Sequence, residues 1–87
     1  MNPDDALELA TRYGWTHDTY VRKNIPMQFS YRDGTFLRTV TVRNDRISWS
    51  VQELDGTVPA LHGTATTLLD AFLDAQYAFN SARGTLF

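Results

Sequence analysis

The sequence predicts an α+β fold: a helix, a four-stranded antiparallel meander and a second helix, with both helices on one face of the sheet. Three observations carry that prediction. Turn signals recur at Asp33-Gly34, Asn44-Asp45 and Asp55-Gly56. The residues between them alternate apolar and polar, and the flanking segments repeat their apolar residues at helical spacing. A sheet with one apolar face, bracketed by amphipathic helices, closes most simply as a two-layer sandwich.

The first helix is expected over residues 3–13. Asn2 can cap it, Pro3 suits its first position, and Asp4 and Asp5 favour the positive end of its dipole. Ala6, Leu9, Ala10 and Tyr13 share a face, Gly14 supplies a left-handed stop, and Trp15 can fold back on the last turn. Residues 15–24 read equally as a loop, a short extra strand around Thr19 to Arg22, or a helical turn.

The strands begin at Ile25, and each turn imposes a register. A turn at Asp33-Gly34 pairs Tyr31 with Phe36, Phe29 with Arg38 and Met27 with Val40. A turn at Asn44-Asp45 pairs Val42 with Ile47, Val40 with Trp49 and Arg38 with Val51. Both select the same inward face: Met27, Phe29, Tyr31, Phe36, Val40, Val42, Ile47, Trp49 and Val51. The third turn pairs Trp49 with His62 and Val51 with Ala60, and sends Leu61 outward with Pro59. A bulge near Pro59 would exchange these faces, so the fourth strand is expected to be a short edge strand. In the second helix Thr66 or Thr67 can cap a broad stripe of Leu68, Ala71, Phe72, Ala75, Phe79 and Ala82, and Gly84 ends it.

The composition bounds the chemistry. A chain of 87 residues, 43% of them hydrophobic, makes one small domain with a real core. Without cysteine there is no disulfide framework, thiolate metal site or cysteine nucleophile. No apolar run approaches the ~20 residues of a membrane span, and the start "MNPDDALELA" lacks the build of a signal peptide. The expectation is a cytoplasmic protein. Its net charge of −2 is unevenly spread. From Tyr20 to Gln52, six basic residues stand against two acids, net +4; elsewhere two stand against eight, net −6. A basic middle between acidic ends can mark a binding surface.

Catalytic patterns are missing. Two histidines, His17 and His62, cannot supply the three or four ligands of a zinc site without further partners, and no HxxxH or HExxH occurs. His17 beside Asp18 reads as a solvated side chain next to a turn-favouring acid, and His62 as a half-buried packing residue opposite Trp49. There is no GxSxG elbow, no SxxK and no glycine-rich phosphate loop. The reading is therefore not an enzyme, with no cofactor and no metal.

The segment "SWSVQELDGTVPALHGTATTLLDA", Ser48 to Ala71, resembles small uncharacterised proteins of actinobacteria and their phages. Those carry a Trp-x-Val strand, an Asp-Gly turn, a Gly-Thr-Ala strand end and an Ala-rich helix. The resemblance covers about a quarter of the chain and implies an accessory protein, not a particular activity. The element order is also similar to that of double-stranded-RNA-binding domains, without their basic helix-start motif.

Two surfaces remain as candidates. The outward sheet face would present Gln28, Thr39, Thr41, Ser48 and Ser50 with Arg32, Arg43 and Arg46, groups that contact phosphate oxygens, and it would hold no acid. The other is an apolar excess outside the packed faces: Trp15, Tyr20, Leu61, Leu73, Tyr77 and Phe87 would form a protein-binding or homodimer patch. The leading expectation is a small non-enzymatic protein that binds a protein partner or itself; the alternative is a nucleic-acid-binding protein using the polar face. Arg38 falls on the apolar side of its strand. It is expected to snorkel along its stem and meet Glu53, or Asp70 or Asp74, in a structural role.

Overall fold

A computed structural model describes residues 2–18, 27–56 and 59–84. The chain runs α1 (Pro3–Arg12), β1 (Thr16–His17), β2 (Met27–Asp33), β3 (Phe36–Arg43), β4 (Arg46–Glu53), β5 (Leu61–Ala65) and α2 (Leu68–Gly84). Among the described residues the strands form one antiparallel sheet in chain order, with five members rather than the expected four. The α+β class stands, and the helices pack on the sheet.

Helix α1 starts and stops on local chemistry. The Asp4 N–H donates to Asn2 Oδ1 at 2.9 Å, and Pro3 occupies the first turn. At the other end Gly14, at φ 81°, lets the Gly14 and Trp15 amides fold back onto the Thr11 and Ala10 carbonyls. That is a Schellman stop. It aims Trp15 into the core, where the indole stacks on Phe72 at 4.6 Å and meets Tyr31 edge-on.

The added strand β1 follows directly, pairing Thr16 with Ser30 and His17 with Phe29. It lies upstream of the extra strand considered around Thr19 to Arg22, which falls outside the described residues.

The first hairpin turns at Gly34-Thr35 instead of Asp33-Gly34. Asp33 and Phe36 close it, and Gly34 takes the first central position at φ 61°. Tyr31 therefore lies opposite Arg38, Phe29 opposite Val40 and Met27 opposite Val42. The pairing slides by two residues, so the inward face is unchanged. The second hairpin holds the expected register, with Asn44 at φ 55° and Val40 opposite Trp49.

The third connection is one residue out. Val51 pairs with Leu61, and Trp49 with Gly63. A slip of one exchanges the faces. Leu61, Gly63 and Ala65 join the inward side, while His62 lies opposite Ser50, exposed on the outer face. Gly63 is needed there: a Cβ would come within 2.6 Å of Trp49 Cζ2.

Helix α2 begins at the expected threonines, with Thr67 Oγ1 accepting from the Asp70 N–H at 3.1 Å. Its buried side lies over β3, β4 and β5, where Phe72, Ala75 and Phe79 close on Phe29, Val40 and Val51.

Candidate interaction surfaces

The open face of the sheet carries hydroxyls and amides across all five strands. One row runs Thr16, Ser30, Thr39, Ser50 and His62; the next continues Gln28, Thr41, Ser48 and Thr64. The residue after the first strand adds what the expected face lacked, an acid. The Asp18 carboxylate accepts from Gln28 Nε2 at 2.9 Å and from Ser30 Oγ at 2.8 Å. The Asp18 N–H donates to the Gln28 carbonyl at 2.8 Å, so this residue clamps β1 to β2. Gln28 and Ser30 are thereby engaged within the protein.

The three outer arginines do not gather. Arg32 lies at one end of the sheet opposite Leu37, and its Nε donates to the Gly34 carbonyl at 3.3 Å. Arg43 and Arg46 face each other at the opposite end, beside the Asn44-Asp45 turn. Leu37 and Arg43 are six steps apart along β3, about 20 Å at the rise of a strand. Thr39, Thr41 and Ser50 between them are half-buried, and Ser48 is exposed.

The apolar candidates divide differently. Trp15 is 6% exposed and belongs to the core, so it forms no surface patch. The Schellman stop and the stack on Phe72 draw it in. Tyr20 and Phe87 lie outside the described residues. Leu61, Leu73 and Tyr77 are exposed at 37%, 49% and 76%. Leu73 and Tyr77 are one turn apart on α2, opposite its buried face. Tyr13 and Leu54 are exposed as well. A groove of about 330 Å³ separates the helices, walled by Ala6 and Leu9 from α1 and by Leu68 and Leu69 from α2.

Arg38 is 3% exposed, so its guanidinium does not snorkel to water as expected. It lies between two rings, 4.1 Å from the Tyr31 centroid and 4.2 Å from that of Phe79. Its Nη1 donates to Gln76 Oε1, and Gln76 Nε2 donates onward to Asn80 Oδ1 at 3.2 Å. The carboxylate that pairs with it is Asp33, at 3.7 Å, brought near by the shifted first hairpin. Glu53, the expected partner, accepts from the Thr35 hydroxyl at 3.1 Å, and Asp70 and Asp74 are exposed on α2. Burial lowers the Arg38 pKa below the usual value, against the opposing pull of Tyr31 and Asp33. A charge held by rings, an amide and an ion pair under a helix is built as core, not as an open site.

His17 packs half-buried against Phe29, at 5.4 Å between centroids. Among the described residues no group of three His, Cys, Asp or Glu could hold a metal ion, and no helix is long and apolar enough to cross a membrane. No protein-family model, curated protein or solved structure matches the chain.

Proposed function

We propose that this is a small non-enzymatic protein of the cytoplasm that works by binding another polypeptide, a partner protein or a second copy of itself. The observation that carries the reading is the apolar surface left outside the core, with Leu61, Leu73 and Tyr77 between 37% and 76% exposed. A chain of 87 residues has little apolar area to spare for solvent. Aromatic and aliphatic side chains presented on a rigid helix or strand are the usual anchors of protein interfaces. The dispersal of the outer arginines and the engagement of Gln28 and Ser30 by Asp18 weigh in the same direction.

A second reading has one specific observation behind it. Arg43 and Arg46 are direct cross-strand neighbours, both exposed, and neither makes an ion pair among the described residues. Like charges so placed repel, and a phosphate between them would relieve that cost.

Salt separates the two. Association driven by apolar burial persists in high salt, whereas phosphate contacts weaken steeply. The proposal expects polypeptide complexes of the purified protein, seen by cross-linking and mass measurement, that survive high salt. Retention on DNA or heparin as the only association, lost with salt and on replacing Arg32, Arg43 and Arg46 by Gln, would overturn it.

A further inference from the structure

We propose that the free edge of β5 is a homodimerisation strand: two copies pair β5 to β5, antiparallel, about a two-fold axis at Gly63. This rests on the polypeptide-binding reading above and names its partner. The sheets of two five-stranded protomers would join without a break.

The edge is bare. Residues Leu61, His62, Gly63, Thr64 and Ala65 carry no proline and no Lys, Arg, Asp or Glu, and the ladder with β4 runs through all five without a bulge. Proteins ordinarily protect such an edge with those devices. The opposite edge, β1, is only two residues long and offers little to pair with.

The hydrogen-bond phase defines the register. The two-residue turn at Asn44-Asp45 makes Arg43 and Arg46 a bonded pair, and bonded pairs alternate along an antiparallel ladder. Ile47, Trp49 and Val51 therefore turn their backbone groups toward β5 and bond Ala65, Gly63 and Leu61. His62 and Thr64 point their N–H and C=O groups the other way, off the sheet.

About a two-fold at Gly63, His62 of each copy meets Thr64 of the other as a bonded pair. All four outward groups of each strand are then satisfied. Between these pairs Gly63 meets Gly63 of the second copy as a non-bonded pair, where the Cα atoms come within about 4.5 Å. On the helix-bearing face, the half-exposed Leu61 meets the small Ala65 of the second copy. On the outer face a histidine meets a threonine, and no like charges oppose. The strand is thus complementary to itself in this register, which is what an isologous interface requires.

A five-residue seam is short beside a standard interface, so the dimer should form and dissociate with concentration. Sedimentation equilibrium from micromolar to millimolar is expected to show the mass rising from 9.9 kDa toward twice that value, with little effect of salt. His62→Glu with Thr64→Glu sets like charges opposite each other twice across the seam and should weaken the dimer roughly tenfold. His62→Lys with Thr64→Glu sets opposite charges there and should restore it. Both residues are exposed, so neither variant is expected to disturb the protomer, which its melting temperature checks. A dimer indifferent to both variants would overturn the β5 pairing and leave the polypeptide-binding reading standing. A wild type that stays at 9.9 kDa would also overturn it, and the cross-linking result then decides the broader reading separately.

Discussion

Arg38 and Asp18 are charged side chains on opposite faces of the same sheet, and each sits where the pattern around it argues against a charge. Arg38 is under α2, with a ring on either side, Gln76 at one nitrogen and Asp33 at another. Asp18 is on the open face and half-buried, gathering Gln28 and Ser30 around its carboxylate. The buried cation lies between α2 and the sheet, touching Phe79 and Gln76 of the helix and Tyr31 and Asp33 of β2. The acid follows a two-residue strand and ties it to its neighbour, beside the ladder pairs of Thr16 with Ser30 and His17 with Phe29. Burial and importance need not run together, and the more deeply buried charge is expected to be the more replaceable.

Removing the packing around the cation should have the largest effect. Phe79 is 3% exposed, faces Arg38 and meets Phe36 edge-on. Phe79→Ala should cost about 3–5 kcal/mol, read as a lower urea midpoint or outright unfolding. A loss under about 1 kcal/mol would mean that the rings do not carry this part of the core.

Asp18→Ala should cost about 1–2 kcal/mol, since hydrogen bonds to a carboxylate are the stronger kind. The loss should be local. Exchange at the Asp18 amide, which donates to Gln28, should quicken while the β3–β4 amides stay protected. Uniform quickening across the sheet would contradict a clamp confined to β1.

Arg38→Met should be the mildest, within about 1 kcal/mol of wild type and of either sign. Methionine keeps the stem and a sulfur against both rings, and it removes a charge that burial disfavours. Gln76 is exposed and can turn to water. A loss above about 3 kcal/mol would make the guanidinium essential to the packing. A normal fold with lost binding would make it part of the site.

These residues also show how far the sequence could be read. The inward position of Arg38 follows from the β3–β4 register, because Asn44-Asp45 is an unambiguous turn and side chains alternate with a period of two. Its partners do not follow. Gly34 can serve either as the second residue of an Asp33-Gly34 turn or as the first of Gly34-Thr35; both leave the same residues inward, and only the second brings Asp33 near Arg38. Strand β1 could not be read, since two residues have no period and its anchors, the Trp15 stack and the Asp18 clamp, come from distant segments. The face of Leu61 turned on the parity of one loop, and a single residue decided it. One signal was present and unused: a glycine inside a strand often marks the close approach of a large neighbour, and here it admits Trp49.

The proposal that this protein acts through polypeptide contacts and pairs through β5 is tested most directly by amide NMR spectra over a dilution series, with and without a DNA duplex. Concentration-dependent shifts centred on His62, Gly63 and Thr64, unchanged by high salt and by the duplex, are expected. Shifts that arise only with the duplex, at Arg43, Arg46 and Ser48, and vanish as salt is added would contradict it.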